Sequence, residues 1–130
     1  LYILFGMKRR QRIIEKIKTS IVNSVHYAEE QNALKFSLKI SRELNLDYNY
    51  LSNIFTETEG TTIEKYFIAQ RIEKVKELLK YDELSLSEIA DQLGYSSVSY
   101  LSNQFKTQTG FTATQFKSLL NNQRKNLDDL

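Results

Sequence analysis

Tyr50-Leu51-Ser52-Asn53-x-Phe55 returns fifty residues later as Tyr100-Leu101-Ser102-Asn103-x-Phe105. Gly60 likewise returns as Gly110 and Thr62 as Thr112, and upstream Ile40-Ser41-x-x-Leu44 answers Ile89-Ala90-x-x-Leu93 with the offset one residue shorter. A duplicated unit this short implies two copies of one binding device within a single small chain.

Composition agrees with an all-α fold. The 130 residues contain no proline and only 4 glycines, the two residues that interrupt helices. The hydrophobic fraction of 41%, with 8 tyrosines and 7 phenylalanines, suffices for a core. There is no cysteine, so disulfides and thiolate metal sites are excluded, consistent with a cytoplasmic location. The apolar run Leu1–Phe5 is far shorter than the roughly 20 residues of a membrane span, and the basic residues follow it rather than lead it. No membrane partner is expected. The chain starts at Leu1, so it is expected to be a piece of something longer.

Apolar spacing places seven helices. Ile13, Ile14, Ile17, Ile21, Val25 and Ala28 mark one face of a helix over 8–30, followed by a loop over 31–35. Ser37 has the position of an N-cap for a helix with Leu38, Ile40, Ser41 and Leu44 inward. Asn45-Leu46-Asp47 makes a turn, with Asp47 capping a helix over 48–58 that turns Tyr50, Leu51, Ile54 and Phe55 to the core. A long helix over 62–80 follows. Ser85-x-x-Glu88 is a capping box, Gly94-Tyr95-Ser96 a turn, and 97–109 a helix with Tyr100, Leu101 and Phe105 inside. Thr112 caps a last helix over 112–120 holding Phe116 and Leu119, and 121–130 reads as a frayed polar tail.

Each copy is thus a short helix, a tight turn and a longer helix: a helix-turn-helix, over 37–59 and again over 85–109. The small residue, Ser41 or Ala90, suits a close crossing of two helices. The outward faces of the longer helices carry Asn49, Ser52, Asn53 and Thr56 in the first copy and Val98, Ser99, Ser102, Asn103 and Lys106 in the second. Lysine and glutamate would dominate an ordinary solvent face. Asparagine can instead bond adenine through two hydrogen bonds, serine can bond several bases, and valine can pack on a thymine methyl. Double-stranded DNA is the expected partner.

Charge adds less. The net charge is only +2. The basic run Lys8, Arg9, Arg10, Arg12, Lys16 and Lys18 reads as a solvated helix face, and 1–20 as a basic extension leading into the first helix. No catalytic constellation, phosphate loop or metal spacing is present, and His26 stands alone, so neither an enzyme nor a cofactor is expected. The rival reading is a helical protein-interaction module that kept the fold and lost DNA binding, for which Glu57 and Glu59 speak.

From about Ile21 to Ser118, three quarters of the chain, the sequence resembles the C-terminal DNA-binding domain of AraC/XylS transcription regulators of bacteria. The resemblance rests on Tyr50–Phe55 with Gly60, Tyr66, Arg71-Ile72-Glu73-Lys74-Val75-x-x-Leu78-Leu79, Ser87-Glu88-Ile89-Ala90, Gly94-Tyr95, Tyr100–Lys106 and Gly110-Phe111-Thr112. It implies one domain over 21–120, with two lobes joined by the helix over 62–80. It implies base-facing roles for Asn49, Ser52, Asn53, Val98, Ser99 and Asn103, and action on RNA polymerase at promoters. It also implies an upstream sensing or dimerisation domain, which nothing in 1–18 is large enough to replace. Three positions depart from the family pattern: Thr56-Glu57 where a cation is common, Thr112-Ala113 for Thr-Pro, and Phe116-Lys117 for aromatic-Arg. Glu57 would lie near phosphates if its helix enters a groove. A helix of nineteen residues spans roughly 28 Å, close to one DNA turn, so two successive major grooves are the expected target of one chain.

Overall fold

A computed structural model describes residues 2–26 and 33–128, with side-chain environments for 8–26 and 35–127. All regular structure among them is helical: α1 (Tyr2–His26), α2 (Ala33–Leu44), α3 (Tyr48–Glu59), α4 (Ile63–Tyr81), α5 (Leu86–Gln92), α6 (Val98–Thr109) and α7 (Ala113–Asp128). Packing divides the chain into two units, Leu1–Gln70 and Arg71–Leu130, with the boundary inside α4.

In the first unit, Ile14, Ile17 and Ile21 of α1 are at most 1% exposed and meet Phe36 and Ile40 of α2 and Leu51 and Phe55 of α3. Ile63 and Phe67 from the start of α4 complete this core, and Phe67 lies against Phe36 with ring centroids 5.4 Å apart. In the second unit, Ile72, Val75 and Leu79 of α4 are buried, as are Ile89, Ala90 and Leu93, then Leu101 and Phe105 of α6.

The duplication extends to hydrogen bonds. Within the first turn the Leu46 amide donates to the Ser41 carbonyl at 3.2 Å and Asn45 to Arg42 at 3.3 Å. The counterparts are Tyr95 to Ala90 at 2.9 Å and Gly94 to Asp91 at 3.2 Å. Both turns place a residue in the left-handed region at the same point, Asn45 with φ 53° and Gly94 with φ 73°. Glycine and asparagine are the residues that adopt this conformation at least cost. The second turn holds one more residue, Ser96, which accounts for the slip in the repeat offset. Each longer helix closes on a left-handed glycine, whose amide donates to Thr56 in one copy at 3.0 Å and to Lys106 in the other at 2.8 Å.

The repeat continues into the following helix. The Thr62 and Thr112 hydroxyls each accept a first-turn amide at 3.1 Å, from Lys65 and Gln115. Phe55 then meets Tyr66 edge to face at 5.6 Å, and Phe105 meets Phe116 in the same manner at 5.5 Å. The match of Tyr66 with Phe116 hides in the sequence because the two residue types differ.

Several expectations need correction. Ser37 is no cap: α2 begins at Ala33, and Ala-Leu-Lys before Phe36 are good helix formers. Leu38 is 54% exposed and Phe36 takes its place inside, because residues two apart on a helix cannot share a face and Ile40 is the buried one. Tyr50 and Tyr100, expected inside, are 41% and 53% exposed. Each sits about 100° around the helix from the buried leucine that follows it. Asp47 occupies the N-cap position of α3 without a side-chain capping bond, whereas Ser97 accepts the Tyr100 amide at 3.0 Å. The Ser85–Glu88 capping box is formed, both of its bonds being 3.1 Å.

α1 starts at Tyr2 and ends at His26; residues 27–32, with Ala28 and the first two residues of the expected loop, lie outside the described residues, and the rest of that loop, 33–35, is the first turn of α2. α7 runs to Asp128 rather than fraying after Asn121. Arg124 gives the reason, donating at 2.7 Å to the Lys80 carbonyl, one of the acceptors that the end of α4 leaves open. Lys117 adds a 2.7 Å ion pair to Asp82. On α7, Leu119 is 43% exposed. The half-buried positions are Phe116, Lys117 and Leu120, a stripe at spacings of one and three.

Two stability measurements check this account. Phe36→Ala should lower unfolding free energy in urea by about 3–5 kcal/mol, while Leu38→Ala changes it by no more than about 0.5 kcal/mol. Equal effects would return Leu38 to the core. Gly94→Asn should cost less than Gly94→Val, which forces a branched side chain into the left-handed region at about 1–2 kcal/mol; a valine as stable as asparagine would mean that the turn relaxes.

Candidate nucleic-acid interface

A helix that buries one stripe presents the opposite one. On α3 the buried residues are Leu51, Ile54 and Phe55. The opposite side carries Asn49, Asn53 and Thr56, all exposed, with Ser52 half-buried beside them. On α6, Leu101 and Phe105 are buried. Val98, Ser99, Asn103 and Lys106 are exposed, and Ser102 is half-buried at the matching edge. The structure therefore brings Asn49, Ser52, Asn53 and Thr56 together on one face of α3, and Ser99, Ser102, Asn103 and Lys106 on one face of α6; Val98, three and seven residues before the buried Leu101 and Phe105, is exposed at the first turn but lies on the side of the buried stripe. The Thr107 hydroxyl donates to the Asn103 carbonyl at 2.8 Å, a main-chain contact that does not engage the Asn103 amide.

The two faces differ at their ends. Tyr48 stands where the second copy has Val98, but its hydroxyl bonds Glu64 of α4 and it is half-buried. Burial pushes the Tyr48 hydroxyl pKa upward, with the Glu64 hydrogen bond adding to the shift. The first face thus starts at Asn49. At the other end, α6 carries Lys106 in its last turn, whereas α3 has no basic residue.

Glu57 and Glu59 end α3, where a carboxylate meets the negative pole of the helix dipole. Both find cations on α1. Arg10 lies 3.8 Å from Glu57 and Lys18 2.8 Å from Glu59. The hydrogen bond that Lys18 donates to Glu59 is the main cause of a raised Lys18 pKa. The basic run is therefore more than a solvated face: two of its members sit against the acidic end of α3.

Behind α6 lies a support that the sequence reading did not place in the site. Arg71 of α4 is 8% exposed and donates through Nη2 to the Leu93 carbonyl at 3.0 Å, at the end of α5. Its guanidinium lies 3.9 Å from the centre of the Tyr95 ring. Tyr95 in turn donates to Gln104 at 2.6 Å and rests against Tyr100 at 5.8 Å. Burial lowers the Arg71 pKa and raises that of Tyr95. Arg71 thus joins α4 to the turn and Tyr95 joins the turn to α6, so the orientation of the exposed face of α6 depends on this chain of contacts. The sequence signal was present in Arg71 and Gly94-Tyr95, which the family resemblance includes without assigning them contacts.

Among the described residues no group of His, Cys, Asp and Glu could hold a metal ion. No described helix is long and apolar enough to cross a membrane.

Comparison with known proteins places this architecture. Residues 40–118 match the family described as "Helix-turn-helix domain". The Msm operon regulatory protein of Streptococcus mutans is 30% identical over 83 residues, which cover 64% of this chain and 30% of that protein. The C-terminal domain of the two-component response regulator yesN from Fusobacterium nucleatum is 31% identical, with a TM-score of 0.61 over 86% of this chain and 97% of that one. The DNA-binding domain of the global transcriptional factor AdpA, solved in complex with a target DNA, superimposes with a TM-score of 0.72 over 86% of this chain and 96% of that one; at 18% identity it shares the fold. The chain spans 30% to 38% of the length of the curated relatives it matches. With its two copies of one hairpin, the residues that build them and the family match over 40–118, the chain belongs to the AraC/XylS type of helix-turn-helix proteins, the DNA-binding domain of transcription regulators.

Proposed function

We propose that the chain reads base sequence in double-stranded DNA through the exposed faces of α3 and α6, using Asn49, Ser52 and Asn53 in the first unit and Val98, Ser99, Ser102, Asn103 and Lys106 in the second. The observation that carries this is the placement of Asn53 and Asn103 at equivalent points of two helices built by the same turn, caps and aromatic contacts. Both amides are exposed, and both lie on the side away from the buried phenylalanine. An asparagine amide offers a donor and an acceptor side by side, which match adenine N7 and N6 in the major groove. Lys106 adds a charge for a phosphate and Val98 an apolar contact for a thymine methyl. The DNA complex of the structurally similar AdpA domain supports the class of ligand.

On this reading the functional division follows the hairpins: a first reading unit over 37–59, a second over 85–109, α4 as the connecting helix and α7 as a buttress for α6. For the whole protein we extend the reading to cytoplasmic regulation of transcription, with RNA polymerase as the partner that the family resemblance implies.

Selection from a random duplex pool supplies the target. Asn53→Ala and Asn103→Ala should each weaken binding to it by about 1–3 kcal/mol and leave random duplex nearly unaffected. In a footprint, each variant should lose protection at a different base cluster. Losses of equal size on target and random DNA would remove both residues from the reading role, and loss of one common cluster would leave a single reading unit.

A further inference from the structure

α3 brings no cation of its own to DNA. Its amino acids from Tyr48 to Glu59 include neither lysine nor arginine, and Thr56 stands where α6 has Lys106. A charge reaches the same place from another helix. Arg10 of α1 holds its Nη1 3.8 Å from a Glu57 carboxylate oxygen, and both side chains are more than half exposed. Glu57 is one residue past Thr56 and four past Asn53, so Arg10 stands beside the end of the proposed reading face. Arg10 also falls in line with Ile14, Ile17 and Ile21, the buried stripe of α1, one turn beyond the core. Lys8 and Arg12 lie about half a turn around the helix from that stripe.

We propose that Arg10 is a phosphate-binding residue of the first unit, supplying from α1 the backbone contact that Lys106 supplies within the second. The inference rests on the reading of α3 as a base-facing helix. A guanidinium presents five N–H donors in a planar fork, which suits a phosphate as well as a carboxylate. The separation of 3.8 Å is longer than the roughly 2.7–2.9 Å of a tight charge-assisted bond, so Glu57 leaves donors of Arg10 open to a second anion. Arg10 can then bridge Glu57 and a phosphate, masking the carboxylate that would otherwise repel the DNA backbone. Glu57 for its part keeps the long arginine side chain at the edge of α3. The acidic end of α3 is in this way reconciled with a DNA-facing role.

The intact chain is titrated with its selected duplex and with random duplex between about 50 and 200 mM salt. Arg10→Gln should weaken both and lower the slope of log affinity against log salt by about 0.9, the release expected for one phosphate contact. Arg10→Lys should restore most of that slope. Lys8→Gln, on the far side of α1, should lower it clearly less. Far-ultraviolet circular dichroism shows whether each variant keeps its helices. An unchanged slope in Arg10→Gln, or one equal to that of Lys8→Gln while Lys106→Gln still lowers it, would place Arg10 away from DNA and leave base reading intact. A parent chain with no salt-dependent duplex binding would instead overturn base reading itself, and the role of Arg10 with it.

Discussion

The edge-to-face contact of one phenylalanine with the next helix fixes what α3 and α6 each present. Phe55 is held by Tyr66 and Phe105 by Phe116, at nearly the same separation and tilt. An aromatic side chain carries the largest apolar area on such a helix, and its preferred edge contact adds direction to burial. Once Phe55 and Leu51 are committed inward, helical geometry leaves Asn49, Asn53 and Thr56 no other side but the outer one. In the second unit Phe105 and Leu101 do the same for Ser99, Asn103 and Lys106. The polar faces follow from the core and need no separate device to expose them.

Orientation is reinforced by different means in the two copies. The second uses Arg71, whose hydrogen bond to Leu93 and stacking on Tyr95 lock the turn before α6. The first uses the Tyr48–Glu64 hydrogen bond and the two ion pairs from α1 to the end of α3. The exposed Arg10–Glu57 pair holds a position weakly, on the order of 0–1 kcal/mol, and the half-buried Lys18–Glu59 pair more firmly, whereas a buried guanidinium with a carbonyl and a ring has the least freedom to leave. The second face is accordingly the more firmly supported one.

Much of the fold was legible because the sequence states it twice. The repeat located both hairpins and paired Gly60 with Gly110 and Thr62 with the capping Thr112, and the Ser85–Glu88 spacing gave a capping box by itself. The misplacements share a physical cause. Tyr50 and Tyr100 each precede a buried leucine and Leu119 precedes the half-buried Leu120, and adjacent residues on a helix point about 100° apart. Ser37 shows that a capping residue type inside a run of good helix formers is simply absorbed. Of the site, the outward asparagines and serines could be read from periodicity. Arg71, Arg10 and Lys18 could not, because each acts on a partner far along the chain: Leu93, Glu57 and Glu59. No local pattern encodes those distances.

The composition of the two faces sets how such a domain would divide its binding energy. Affinity for any duplex grows with the number of phosphates neutralised, and α3 and α6 hold a single cation between them, Lys106. Base contacts by neutral amides and hydroxyls contribute discrimination of about 1–3 kcal/mol each without adding to non-specific attraction. Two faces with one cation and several such groups would therefore gain specificity relative to bulk affinity. Each unit alone would be weak. Covalent linkage through α4 changes this, because once one unit is bound the second meets its bases at an effective concentration set by the tether rather than by the solution. On the proposed reading, duplication within one chain would do for two weak readers what dimerisation does for single-motif proteins, without requiring the two base clusters to be related by symmetry.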